Sequence, residues 1–436
     1  IKNKIFYYLF LIFFFVFCIS TPIISFLFKI NLSNLFGTKI LNDYLLFYNI
    51  RAISGGVVSD LATHWEYIKL LKNDLTNLLK LTLGVDGNAK LINFPLHHII
   101  FSQLFFIETL SEYLITFFIL SFLLPIIFYG ILKKNFQNLN KLNLFLITFI
   151  ILILPGFQYS AIWGNNHITA LIFFSLGIYY LQEFRFNKSK INLIKSLFLF
   201  SLACYTKQFY VFIFIYILLL VYKKLLLKEF FLILLYLTIL GLPGLLFTIK
   251  NPLLLLGLSQ DVTNFGSTIL ISGSIMFFYL IPFIIQYVKN KINENKEFKD
   301  FYNYKRLIFS LTVVIILSFS FKYDSDVGGG VFLKISNIIF ENNILLFLTS
   351  VLGIYFLFYF CEENFESILL VILLLITFSS GYFIFQKYFE PMFFIIFLSL
   401  FDKEKILFSI NKNNFVLCSY FFIYYSTLNY IYFFGL

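Results

Sequence analysis

Apolar runs of about 15 to 25 residues recur along the whole chain, separated by short polar connectors. The hydrocarbon core of a bilayer needs about 20 consecutive apolar residues to be crossed by a helix. The runs at 5–28, 113–132, 142–162, 168–184, 191–206, 208–222, 229–249, 267–288, 307–321, 343–360, 367–386, 388–401 and 415–434 each read as a span. The pattern predicts an all-α polytopic membrane protein with about 11 to 13 transmembrane helices, forming one integral membrane domain over 1–436. The stretch 94–132 is too long for one crossing, and Glu108 and Glu112 divide it into a short surface or re-entrant helix (94–109) and a span. Ile5 to Phe28 exceeds the length of a signal-peptide core and has no small-residue cleavage site, so it is expected to be a retained first span. Two longer polar segments break the rhythm, 29–93 after the first span and 322–342 later.

Composition agrees with the pattern and narrows it. Of 436 residues, 60% are hydrophobic and 13% charged, against about 25% charged in soluble domains; the mean hydropathy is +0.89. These values exclude a soluble enzyme, a disordered tail, a secreted disulfide scaffold and a nucleic-acid-binding domain. The net charge of +11 would point to nucleic acid in a soluble protein; here it fits basic cytoplasmic loops. The 64 Phe and 29 Tyr stand beside only Arg51, Arg185 and Arg306, a skew expected of an AT-rich genome rather than of an aromatic binding function. Cys18, Cys204, Cys361 and Cys418 are scattered without metal-ligand spacing and read as small hydrophobes.

Lysine placement orients the chain. With the N-terminus cytoplasmic, the connectors at 133–141, 185–195, 223–228, 289–306 and 403–412 are inside and hold most of the Lys and Arg. The outer face then carries 29–93, 163–167, Lys207, 250–266, 322–342 and 387–390, which is where residues capable of chemistry gather. There is no internal repeat of the kind found in inverted-repeat transporters and no Gly-rich phosphate loop.

In the first outer segment, Gly55-Gly56-Val57-Val58-Ser59-Asp60 leads into Leu61-Ala62-Thr63-His64-Trp65-Glu66-Tyr67. On a helix beginning there, Asp60 and His64 share a face and Glu66 is turned away. Asp60 or Ser59 would equally serve as an N-cap. The segment ends at Asn93-Phe94-Pro95-Leu96-His97-His98, where adjacent histidines point to different sides. Lys207 lies in Cys204-Tyr205-Thr206-Lys207-Gln208 and Lys387 in Gln386-Lys387-Tyr388-Phe389-Glu390-Pro391, each a tight outer turn between apolar runs. A cation at that depth snorkels, holds an anion or, for Lys387, pairs with Glu390. Trp163-Gly164-Asn165-Asn166-His167 is a further outer turn whose amides suit either a sugar or an ordinary turn. Asp324 and Asp326 form a D-x-D that can bind a divalent cation such as Mg or Mn through carboxylate oxygens.

Taken in order, these elements resemble the GT-C glycosyltransferases, polytopic enzymes that use polyprenyl-phosphate sugars and include the protein O-mannosyltransferases, the aminoarabinose transferases and the dolichyl-phosphate-glucose glucosyltransferases. The family has a first span, a large outer loop with an essential acid near its start, a proline stretch at re-entry, a later lysine turn and a late basic-Tyr-x-x-Pro element. Asp60, Asn93-Phe94-Pro95-Leu96-His97, Tyr205-Thr206-Lys207 and Lys387-Tyr388-Phe389-Glu390-Pro391 stand at those places. The usual second acid is Leu61 here, the second proline is Leu96, and the late basic residue is Lys rather than Arg.

The resemblance implies an inverting transfer of a sugar from polyprenyl phosphate to a glycan, lipid or protein acceptor, on the periplasmic face of a bacterial inner membrane. It implies Asp60 as catalytic base, with His64, Glu66, His97, Asn166, Lys207, Gln208, Lys387 and Tyr388 around the substrates. It leaves a divalent cation open, with Asp324 and Asp326 as candidate ligands. Beyond that possible Mg or Mn ion it implies no cofactor, and it implies no nucleic-acid partner. A polysaccharide polymerase or ligase, a lipid-linked sugar flippase or other transporter, and a noncatalytic subunit remain the alternatives.

Overall fold

The structure is a computed structural model describing residues 2–35, 57–83, 93–251, 265–295, 301–323, 328–378, 384–410 and 414–434. Within them every regular element is helical and there is no strand. Leu9–Leu27, Leu110–Asn135, Leu227–Lys250 and Phe265–Asn293 are long and apolar enough to cross a membrane. The bent pairs Lys141–Ile153 with Pro155–Ile162 and Lys403–Ile410 with Phe415–Leu428 raise that number to six among the described residues. The chain is therefore an all-helical protein whose apolar helices suit an integral membrane protein.

Several expected spans are broken or shortened, for local reasons. The run 142–162 is broken at extended Leu154, and a new helix starts at Pro155, bent by 59° from the one before. Proline has no N–H to continue a helix but suits a first helical position. The run 367–386 holds a helix only over Phe365–Ile376, and a separate turn of helix forms at Gln386–Phe389. Beyond Pro391 the helix Met392–Leu400 has 9 residues, about 14 Å at 1.5 Å per residue, too short to cross alone. The re-entry segment condenses to the short helix Leu96–Ser102, and the following span begins at Leu110 behind a Thr109–Glu112 capping box.

Phe265–Asn293 is the central helix, and Ile344–Phe360 packs along it. Small residues set that contact. A Cβ on Gly353 would lie 1.9 Å from the Gly273 carbonyl oxygen, so only glycine permits this approach. Beside it Ser350 Oγ donates to the Leu270 carbonyl at 2.6 Å, and the Ser274 and Thr349 hydroxyls are 2.9 Å apart. Without a hydrophobic force between helices in lipid, such close passes and hydroxyl contacts hold spans together. Leu227–Lys250, in contrast, buries only Ile233 and leaves its other residues exposed or half-buried, as suits a helix that largely faces lipid.

Charged residues concentrate at one end. Lys134–Glu183, Arg185–Glu362, Lys190–Glu229, Lys223–Glu366, Arg306–Glu363 and Lys405–Asp402 are ion pairs, with the Lys or Arg of each on a connector that the lysine pattern assigns to the inner side.

Gly353→Ala is expected to lower the unfolding midpoint of the detergent-solubilised protein, at a cost of about 1–3 kcal/mol for forcing the helices apart. Gly241→Ala, with open space around that position, is the comparison and is expected to leave the midpoint unchanged. Equal midpoints for the two variants would show that the close pass contributes nothing.

Candidate functional site

Asp60 stands in the first turn of the helix Val57–Asn73. Its side chain is exposed, and Oδ2 accepts a long hydrogen bond from Asn165 Nδ2 at 3.4 Å. Asn165 also caps the helix Asn166–Asn187, accepting from the His167 N–H at 3.0 Å. One side chain thus fixes a helix start and touches the carboxylate.

One turn beyond Asp60, His64 is buried, and its Nδ1 shares a proton with His98 Nε2 at 2.8 Å. His97 points the other way, as adjacent positions on a helix must. Its Nδ1 lies 2.9 Å from Thr169 Oγ1 and its Nε2 2.9 Å from the Tyr113 hydroxyl. Tyr113 gives its own proton to the Gly164 carbonyl. His97 must therefore donate from Nε2 and accept from Thr169 at Nδ1. Both nitrogens are used and the ring is wholly buried, so His97 braces the site instead of lining it. Burial first, then mutual repulsion and the Lys207 charge, hold the three histidines neutral, with His98 down to about 3. Glu66 faces solvent away from this cluster.

The lysine turn packs against the proline stretch. Leu96 N–H donates to the Tyr205 carbonyl at 3.1 Å, and the Phe94 and Tyr205 rings meet edge-on. The Tyr205 hydroxyl donates to the Leu240 carbonyl and accepts from Gly244 N–H at 3.1 Å, tying the turn to the helix Leu227–Lys250. Lys207 is held in this turn, half-buried, its N–H on the Ala203 carbonyl at 2.8 Å. Burial pushes its ammonium down to about 8, against the attraction of Asp60 and with the repulsion of Lys387. Lys387 is likewise lowered by burial and attracted by Asp60; its Nζ lies 4.9 Å over the Phe385 ring. Two lysines and one carboxylate, from three distant parts of the chain, thus share one electrostatic field. Among the described residues neither lysine makes an ion pair.

Glu390 does not pair with Lys387. Its side chain turns inward, wholly buried, where Oε2 accepts from Gly156 N–H at 2.5 Å and Oε1 accepts from the Tyr424 hydroxyl at 2.9 Å and from the Tyr279 hydroxyl. Its carbonyl lies 3.1 Å from His167 Nε2. Burial raises this carboxyl to about 7, and the three donors act against that rise. A Cβ on Gly156 would stand 2.7 Å from the Lys387 carbonyl oxygen and 2.8 Å from Glu390 Cβ, so this approach requires glycine.

Tyr388 stacks on Phe378 at 5.6 Å and faces His167 at 6.4 Å, within reach of the Asp60 charge. Asn166 is wholly buried, and among the described residues its amide oxygen and nitrogen have no hydrogen-bond partner. Gln208 opens the 3₁₀ turn after Lys207 and is half-buried. Asp324 and Asp326 lie outside the described residues. Among those described, no group of three or more His, Cys, Asp or Glu is arranged to hold a metal ion.

Of the residues expected from the sequence, the structure brings Asp60, Lys207, Lys387 and Tyr388 within electrostatic reach of one another. Sequence reasoning missed the Glu390 anchor with Tyr279 and Tyr424, and the role of His98, Tyr113 and Thr169. The available signal was a carboxylate and hydroxyls embedded in otherwise apolar runs.

Comparison with protein-family models, curated proteins and solved structures finds no match to this chain.

Glu390→Ala removes the shared acceptor and leaves three buried donors unsatisfied, an expected loss of about 3 kcal/mol or more. Glu390→Gln retains one acceptor oxygen and is expected to lose less. Thermal unfolding of both variants in the same detergent checks the order; no loss in Glu390→Ala would remove the anchor from the account.

Proposed function

We propose that the protein is a GT-C-type membrane glycosyltransferase. It takes a sugar from a polyprenyl-phosphate donor and passes it to a hydroxyl of a glycan, lipid or protein acceptor. In this reading the first span enters from the cytoplasm, and the Asp60 end faces the periplasm of a bacterial inner membrane.

The observation that carries the proposal is the pair of half-buried lysines, Lys207 and Lys387, facing the exposed carboxylate of Asp60 without an ion pair to either. An ammonium withdrawn from water and left unpaired is costly unless an anion arrives. A lipid phosphate at the membrane surface is such an anion. Asp60, being exposed, is open to an acceptor hydroxyl from the aqueous side.

The chemistry follows from these positions. The acceptor oxygen attacks the anomeric carbon as its proton passes to an Asp60 carboxylate oxygen. The bond from that carbon to the phosphate oxygen breaks on the opposite face, its electron pair leaving on the phosphate. The donor is a singly charged diester and the departing group a doubly charged monoester, so the lysines are attracted more strongly to the transition state than to the ground state. Displacement from the opposite face inverts the anomeric centre. The phosphate is a sufficient leaving group, so no second carboxylate acting as acid is needed, unlike in glycoside hydrolysis.

Asp60→Asn is expected to lower sugar transfer by about 10² or more while donor binding is retained. Reconstituted protein with radiolabelled polyprenyl-phosphate sugars checks this. Equal transfer by both forms removes Asp60 as base, and movement of lipid-linked sugar across the bilayer without transfer favours a transporter.

The depressed Lys207 gives a pH test with a defined sign. Only the ammonium form attracts phosphate, and a phosphodiester does not titrate near neutrality. Donor affinity is therefore expected to fall as pH rises through about 8. Lys207→Arg keeps its charge throughout this range and is expected to flatten that fall. A wild-type binding profile already flat across about 7 to 10 would separate Lys207 from the phosphate.

A further inference from the structure

At the far end of the central helix there is a second site. Tyr279, which donates to Glu390, and Lys291 both belong to Phe265–Asn293. Twelve residues separate them, about 18 Å along the axis at 1.5 Å per residue. Around Lys291 a cavity of about 730 Å³ opens where the ends of four helices meet: Phe265–Asn293, Tyr304–Ser318, Ile344–Phe360 and Lys403–Ile410.

The lining is cationic and aromatic. Lys291, Lys305, Arg306 and Lys405 face the cavity with the carboxylates of Glu363 and Glu404. Two of the cations flank one buried ring, the Arg306 guanidinium carbon 6.0 Å and the Lys405 Nζ 5.2 Å from the centre of Tyr359. Like charges gathered on one ring gain from its π face but repel each other. Their present partners leave capacity for a further anion. The Arg306 side chain is 17% exposed, whereas its partner Glu363 is 76% exposed and engages one guanidinium nitrogen. Among the described residues the other donors of that fork remain. Lys405 Nζ uses one donor on the Tyr359 carbonyl at 2.9 Å and one on Asp402 at 3.1 Å, out of three. At the mouth, Tyr302 and Tyr304 are largely exposed, as aromatic residues are where a membrane meets water.

We propose that this cavity binds a phosphate-bearing anion, held by Arg306 and Lys405 over Tyr359, with Lys291 behind and Lys305 at the rim. The guanidinium fork matches phosphate oxygens in pairs, and lysines add point charge. The phosphate has two possible sources, an anionic phospholipid headgroup or a free phosphate from solution. This site is independent of the proposed transfer reaction and faces the opposite end of the bundle.

The test uses the full chain in nanodiscs of phosphatidylcholine, with and without phosphatidylglycerol. Native mass spectrometry reads retained lipid, and calorimetry in the phosphatidylcholine discs reads binding of inorganic phosphate. Retention of phosphatidylglycerol over phosphatidylcholine identifies the lipid source, and calorimetric binding of phosphate identifies the soluble one. In either case Arg306→Gln is expected to weaken binding about tenfold or more, the loss of a charge-assisted hydrogen bond, and Lys305→Gln, at the rim, less. Arg306→Lys, which keeps the charge and the packing, is expected to weaken it less than Arg306→Gln, and unfolding midpoints check that each variant folds. Absence of both kinds of binding, or binding that Arg306→Gln and Lys305→Gln leave unchanged in folded protein, overturns the proposal.

Discussion

The buried carboxylate of Glu390, held by donors from three separate helices, is the contact on which the candidate site depends. Gly156 N–H reaches it only because the helix breaks at Leu154 and restarts at Pro155. The first N–H groups of a helix have no partner inside that helix, and the positive end of its dipole favours a carboxylate. The break and the acid are thus two halves of one device. Tyr279 from the central helix and Tyr424 from the last helix complete it. The backbone between Gln386 and Pro391 is fixed from the inside, which leaves Lys387 and Tyr388 to face the site. A carboxylate buried this deeply is destabilising without such donors; with them, it sets the geometry of the turn.

The two ends of the bundle treat cations differently. At one end Lys134, Lys190, Lys223, Arg185, Arg306 and Lys405 each have a carboxylate within ion-pair distance. Pairs on an exposed surface contribute little to stability, but they show that carboxylates were available to neutralise cations. At the other end Lys207 and Lys387 are also half-buried, and Asp60 acts on both only at a distance. Among the described residues these two have no carboxylate within ion-pair distance, which in the proposed reading leaves them open to the donor phosphate.

Much of this was legible in the chain itself. Apolar run length is enough to assign a helical membrane protein, because a bilayer accepts few other backbones. It does not show where helices break, because composition does not register where Pro155 and Pro391 restart the helix. Lys207 and Lys387 stood out as charges between apolar runs, where a charge needs a reason, and Asp60 by its place in the first outer segment. The anchor was hidden because its partners are tyrosines, and among 29 Tyr in the chain nothing local separates Tyr279 and Tyr424 from the rest. His97 was expected beside the substrates on the resemblance alone, whereas Thr169 and Tyr113, remote in sequence, take both its nitrogens.

In the proposed reaction, charge bookkeeping gives one acid and two lysines a sufficient role. Before transfer, the anionic Asp60 and a singly charged donor phosphate balance the two ammonium groups. During transfer, the acceptor proton neutralises Asp60 while the phosphate gains a second negative charge. The positive field of the lysines is therefore balanced at both ends of the reaction, and the negative charge moves from Asp60 to the phosphate without leaving the site. In a medium of low dielectric, uncompensated charge is the dominant cost, and this arrangement avoids it at either end. A second carboxylate beside Asp60 would upset the balance, and the neighbouring position is occupied by the buried side chain of Leu61.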